Sequence, residues 1–145
     1  MALRRPSRDL KIRLLSGVAL FSTCHKHELR RIAALVDEIE VPKQKTLTRE
    51  GDPGREFFVV VEGSATARRG GRKVATIGPG SFFGELALLD QGPRAATVTA
   101  DTDMQLLVLT SRAFSSLLAE MPSVSRRILR GMGERLRAAE HGPTL

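Results

Sequence analysis

Phe82-Phe-Gly-Glu-Leu-Ala-Leu-Leu-Asp-Gln-Gly-Pro-Arg-Ala-Ala-Thr-Val98 is the stretch on which the reading of this chain turns. Gly84 lets the backbone approach a neighbour closely or take a positive φ. Glu85 to Leu89 can form one helical turn, whose first amides lack internal partners and carry partial positive charge. Backbone N–H groups of that kind hold anions. Ten residues beyond Gly84 stands Arg94, the only cation in the stretch. A guanidinium grips a phosphate with two parallel, charge-assisted hydrogen bonds. Ala95 and Ala96 are small enough to leave space beside it and expose their amides. Glu85 is an acceptor suited to ribose hydroxyls, and it would repel a second phosphate. Taken together, the residues describe a site for a singly charged sugar phosphate. The alternative is a turn and a strand, with Arg94 paired to Glu85 for stability. A triphosphate site would need a lysine-bearing glycine loop, and that motif is absent.

The flanks set the fold class. From Thr46 to Leu109, short apolar or alternating runs are separated by Gly51-Asp-Pro-Gly54, Glu62-Gly63, Gly70-Gly71, Gly78-Pro-Gly80 and Gln91-Gly-Pro93. The runs are Phe57–Val61, Ala65–Arg68, Lys73–Ile77, Ala95–Ala100 and Met104–Leu109, after an extended Glu38–Val41. Strands this short and evenly spaced predict a β-sandwich or jelly roll. The connections are too short for parallel crossovers. Helical spacing occupies both ends. Ser7 is placed to cap a helix carrying Leu10, Leu14 and Leu15, and Leu29, Ile32, Ala33 and Val36 share a face. Phe114, Leu117, Leu118 and Met121 mark a helix, Pro122 starts another, and Ile128, Leu129, Met132 and Leu136 line it. The expectation is a mainly β domain over residues 1–145: helices over about 7–36, a β-roll over about 37–110, and two helices over about 111–139.

Composition limits the function classes. The chain has 145 residues, 41% hydrophobic and 27% charged, typical of a folded globular domain. The net charge of +7 is uneven: +6 over residues 1–31, −2 over 32–110 and +3 over 111–145. Basic ends attract nucleic acid or acidic lipid, or simply solvate a helix face. No apolar run is long enough to span a membrane and the start lacks a leader pattern. A lone Cys24 fits a reducing cytoplasm. His25-Lys-His27 lacks the further ligands of a metal site. No nucleophile–base or paired-carboxylate arrangement stands out, so catalysis is not expected.

Phe83-Gly-Glu-Leu-Ala-Leu-Leu followed by Pro93-Arg-Ala-Ala-Thr-Val resembles the phosphate-binding cassette of the cyclic nucleotide-binding domain family. That family includes protein kinase A regulatory subunits, nucleotide-gated channels and catabolite activators. Glu50-Gly-Asp-Pro-Gly54, Val60-Val-Glu-Gly63 and Ile77-Gly-Pro-Gly80 extend the likeness, which covers roughly Val18 to Leu136. The resemblance implies an eight-stranded jelly roll with flanking helices. It implies a ligand site of Phe83, Gly84, Glu85, Leu86, Ala87, Pro93, Arg94, Ala95 and Ala96, with Arg94 on the cyclic phosphate and Glu85 on the ribose. The amides of Gly84, Leu86, Ala87 and Ala95 would complete the cradle. Relatives that prefer cGMP often carry Thr directly after the arginine; Ala95 stands there, which favours cAMP as ligand over cGMP, while Thr97 remains within reach. Arg135 falls near a base-capping arginine of channel members, with Met132 and Leu136 as rival lids. Arg55, Phe57 and Phe58 depart from the family pattern, at positions expected to lie away from the cassette.

The resemblance thus implies a cAMP sensor that signals through its last helix to a downstream protein, with no cofactor, and it leaves room for an oligomer. No helix-turn-helix follows the last helix, so sequence-specific DNA binding is not expected. The alternative is a nucleic-acid- or protein-interaction module on the same fold, resting on the basic first 31 residues.

Overall fold

The structure is a computed structural model that describes residues 5–140. Helix α1 (Arg8–Ser16) begins where Ser7 accepts a hydrogen bond from the Leu10 amide at 3.1 Å. A short 3-10 turn, Ala19–Phe21, leads to α2 (Lys26–Leu35). Eight strands follow: β1 (Asp37–Val41), β2 (Thr46–Thr48), β3 (Glu56–Glu62), β4 (Ala65–Arg69), β5 (Arg72–Ile77), β6 (Phe82–Phe83), β7 (Thr97–Ala100) and β8 (Met104–Thr110). Helix α3 (Ala87–Asp90) sits between β6 and β7; α4 (Ser111–Glu120) and α5 (Pro122–Ala139) close the described chain.

The strands form two four-stranded antiparallel sheets, ordered β1-β8-β3-β6 and β2-β7-β4-β5, the two layers of a jelly roll. Strands β3 and β8 are nearly continuous apolar runs because both of their faces are buried. Phe57, Val59, Leu107 and Leu109 turn outward, beneath the helices, and join Leu15, Phe21, Ile32, Phe114, Leu117 and Ile128. Phe58, Val60, Leu106 and Val108 turn inward and meet Ala65, Val98 and Met104 between the sheets. Two apolar clusters therefore share the same two strands. Among the described residues no helix is long and apolar enough to cross a membrane.

Three boundaries differ from the sequence reading. β2 and the two-residue β6 are strands that periodicity did not reveal, because alternation needs more residues than they have. The helical turn read at Glu85–Leu89 lies at Ala87–Asp90, ended by Gln91 in the left-handed region at φ 52°. The strand read from Ala95 begins at Thr97, which leaves Ala95 and Ala96 irregular.

One turn residue fixes the crossing from β3 in one sheet to β4 in the other. Gly63 has φ 93°, and a Cβ there would lie 2.9 Å from both Met104 Cγ and Thr102 Oγ1 and collide with the Asp103 carbonyl. Gly63→Ala is expected to destabilise the fold by at least about 2 kcal/mol, seen as a lower urea midpoint at unchanged slope. An unchanged midpoint would refute this packing.

Candidate functional site

Loop 51–54 and loop 92–94 are zipped together by their backbones. Arg94 N donates to Asp52 O at 2.8 Å, Gly51 N to Arg94 O at 2.9 Å, and Gly54 N to Gly92 O at 2.9 Å. Pro53 and Pro93 face each other across this bridge. The pairing fixes the backbone from which the Arg94 side chain projects. Its Nη1 donates to the Glu56 carbonyl at 2.8 Å, and its Cζ stands 5.9 Å from the centre of the Phe58 ring. Phe58 in turn stacks on Phe83, with centroids 4.9 Å apart and planes 15° from parallel. Burial lowers the Arg94 pKa, while the neighbouring Glu56 charge works the other way. The guanidinium still carries its charge at neutral pH.

Two glycines make room for this guanidinium. Gly84 has φ 80°, and a Cβ there would lie 2.6 Å from Arg94 Nη1. A Cβ on Gly54 would stand 3.2 Å from Arg94 Cζ and 2.8 Å from the Ala87 Cβ. The glycines thus form a slot that any side chain would block.

Beside the slot opens a cavity of about 400 Å³, within the usual range for small-molecule sites. It is lined by Phe83, Gly84, Glu85, Leu86, Ala87, Pro93, Arg94, Ala95 and Ala96. Thr48, Ala67, Ile77 and Val98 form its apolar wall. Glu85 Oε2 is buried without a hydrogen-bond partner. Buried polar atoms are nearly always paired, so an orphaned carboxylate oxygen beside a cavity marks a place for a donor. The Arg94–Glu85 pair of the alternative reading does not form: among the described residues Arg94 bonds the Glu56 carbonyl instead. Among the described residues the amides of Glu85, Leu86 and Ala95 find no hydrogen-bond acceptor, whereas Ala87 N donates to Gly84 O at 3.1 Å. The Ala87 amide is therefore a spent donor, a correction to the four-amide cradle.

Other residues fall elsewhere. Thr97 Oγ1 accepts from the Glu50 amide at 2.9 Å and is not part of the cavity wall. Arg135 is exposed on α5 and does not line the cavity; neither do Met132 and Leu136. Helix α5, with Val124 and Ile128 buried, packs against the 3-10 turn and α4. Phe58 corrects the opposite expectation: it touches the cassette through Phe83 and Arg94. Gly54, Glu56 and Phe58 were missed as site residues because their roles come from a backbone bridge and a ring stack, which no local spacing encodes. Only the Glu50–Gly54 turn hinted at them.

The polar cluster at the helical end is structural. Glu28 is fully buried. It accepts from the His25 amide at 2.8 Å and the Ser123 hydroxyl at 2.7 Å, and pairs with Arg127 Nε at 2.8 Å. Burial opposes its ionisation, but these three partners and His27 outweigh that and lower its pKa. Cys24 lies nearby. Burial first, then the Glu28 charge, raise its thiol from 9.0 to about 11 against the opposing pull of Arg127. A thiol in that state is a poor nucleophile. His25 and His27 stack with centroids 5.9 Å apart, and among the described residues no group of three His, Cys, Asp or Glu could hold a metal ion.

Known proteins resemble this chain in sequence and fold. The cyclic nucleotide-binding domain profile matches residues 38–121, which contain both sheets and the cavity. A cAMP-dependent protein kinase regulatory subunit of Aspergillus niger is 38% identical over 115 residues, covering 78% of this chain and 28% of the relative. The chain thus spans under a third of the curated relatives it matches first. Among solved structures, the N-terminal domain of a transcriptional regulator from Streptomyces coelicolor A3(2) superposes with a TM-score of 0.81 at 34% identity, over 91% of this chain and 98% of that one. The regulatory domain of Toxoplasma gondii PKA, crystallised with cAMP, gives 0.71 at 31% identity over 79% of this chain and 46% of that chain. Jelly roll and profile agree, and the chain belongs to the cyclic nucleotide-binding domain family.

Proposed function

We propose that this chain is a non-catalytic sensor that binds cAMP in the cavity beside Arg94. The observation that carries the proposal is the pairing of one cation with one orphaned acceptor on the same wall. Arg94 faces a slot kept open by Gly84 and Gly54, and Glu85 Oε2 is buried with no donor. A cyclic phosphate supplies the single negative charge that Arg94 requires, and the ribose 2′-hydroxyl supplies the donor that Glu85 lacks. The free amides of Glu85, Leu86 and Ala95 add donors to the phosphate. Thr48, Ala67, Ile77 and Val98 offer a purine base an apolar wall. Ala95 presents no hydroxyl to a guanine amino group, so adenine is preferred over guanine, by the roughly 0.5–1.5 kcal/mol that one hydrogen bond contributes.

In this reading α5 transmits the signal. Its first half is buried through Val124 and Ile128, while Leu129 and Leu136 farther along are 66% and 64% exposed. A ligand that favours α5 closed over the opening would bring Arg135, Met132 and Leu136 toward the base and shift the helix by population. A downstream protein would read that shift.

The test is calorimetry with cAMP and cGMP in parallel. The expected result is 1:1 binding of both, cAMP tighter by up to about tenfold. No heat with either nucleotide, and no competition with a fluorescent analogue, would overturn the proposal.

A further inference from the structure

The first 31 residues looked like the basic surface of this protein, yet several of those cations are neutralised. Arg5 and Lys11 both pair with Glu38, and Arg31 pairs with Glu120. A denser and unneutralised group lies on the β4–β5 hairpin, Arg68-Arg69-Gly-Gly-Arg72-Lys73. In the antiparallel register Arg68 stands directly opposite Lys73, and Arg69 directly opposite Arg72. Like charges facing each other across a ladder destabilise it. No carboxylate forms an ion pair with any of the four among the described residues.

Protection of an exposed sheet edge accounts for only part of this. β5 is the edge strand, and cations there discourage strand addition. The register break opposite Ala67 and Arg68 already disturbs that edge. Arg68, however, is on β4, which is paired on both sides, by β5 and by β7. Its charge does nothing for the edge.

The hairpin is also held out firmly. Arg69 Nε donates to the Ala95 carbonyl at 3.0 Å, and Gly70 N donates to Glu50 Oε1 at 2.9 Å. Gly70 and Gly71 have φ 58° and 77°, which makes a tight two-residue turn with no side chain at its tip. Strand alternation puts Arg69 and Arg72 on the face shared with the cavity-lining Ala67, and Arg68 and Lys73 on the opposite face. The result is a narrow ribbon with cations on both faces.

We infer that this ribbon is a docking element for the phosphate backbone of duplex nucleic acid. An acidic peptide lying on one face would leave the other pair of cations unanswered. A groove has phosphates on both walls, and a major groove about 12 Å wide admits a two-stranded ribbon. The contacts are to phosphates, so binding is independent of base sequence and strongly salt-dependent.

The test is fluorescence anisotropy of the full chain against a labelled 20-base-pair DNA duplex, from about 50 to 200 mM salt. Wild type, Arg68→Ala/Lys73→Ala, Arg68→Lys and Arg8→Ala/Arg13→Ala are compared, with poly-glutamate as competitor. The hairpin double variant is expected to bind at least tenfold more weakly, and its log–log salt slope to fall by about 1.8, since each phosphate contact contributes about 0.9. Arg68→Lys should retain binding. The double variant should melt no lower than wild type, because it removes a like-charge pair; Arg72→Ala gives an independent check of the same ribbon. Absence of salt-dependent binding by wild type would overturn the inference. So would a loss confined to the α1 variant, or displacement of the duplex by poly-glutamate at equal charge. The cAMP titration reads a different site, since Arg68 and Lys73 face away from the cavity, so either proposal can fail without the other.

Discussion

Arg94→Ala is expected to weaken cAMP binding by about 100-fold. Among the described residues, the guanidinium is the only cation lining the cavity. A hydrogen bond to a charged group contributes about 1.5–3 kcal/mol, and a forked pair on one phosphate about 3 kcal/mol, which is roughly two decades in Kd. Arg94→Lys retains the charge but loses the fork, so its affinity should fall between the two. The fold should tolerate both changes, because among the described residues the Arg94 side chain makes one hydrogen bond, to the Glu56 carbonyl. Calorimetry at fixed salt measures the effect, with thermal melts to confirm folding. An Arg94→Ala protein that titrates like wild type would remove the phosphate from this slot.

The largest effect on stability is expected at the opposite end. Arg127→Met retains the apolar stem but leaves the Glu28 carboxylate buried without its counter-charge. Breaking one partner of a buried ion pair costs about 3–5 kcal/mol, and Arg127 is partly exposed, so the low end applies. About 3 kcal/mol corresponds to a melting temperature roughly 10 °C lower for a chain of this size. The pH dependence gives a second signature. The folded pKa of Glu28 lies below its unfolded value near 4.5. Stability from the ionised carboxylate is therefore present above about pH 4.5 and lost as pH falls through the folded pKa. The gap between wild type and Glu28→Gln should be constant at neutral pH and shrink in acid. A gap that widens on acidification would contradict the assignment.

These two sites were legible to different degrees. The cassette was readable because its parts are close in sequence: a glycine, an acceptor ten residues or fewer from the cation, and small residues beside it. Its neighbours were not. Gly54 and Glu56 reach Arg94 through a bridge between loops about forty residues apart, and Phe58 reaches it by stacking on Phe83. The Glu28–Arg127 pair joins residues from the second and last helices, and in sequence both read as polar helix residues. Within the basic first 31 residues, the pairing of Arg5 and Lys11 with Glu38 and of Arg31 with Glu120 is invisible along the chain.

The sequence by itself determined the jelly roll, the flanking helices and the cassette residues that line the cavity. Those depend on hydrophobic period, turn chemistry and short spacings, which are local properties. The tertiary structure alone decided which of those groups are free. It bonded Arg94 to a backbone carbonyl rather than to Glu85, left Glu85 Oε2 without a donor, used up the Ala87 amide, and turned Arg135 outward on α5. Whether a polar group has a partner depends on what the fold brings within about 3 Å of it, and that distance is set by packing between segments far apart in the chain.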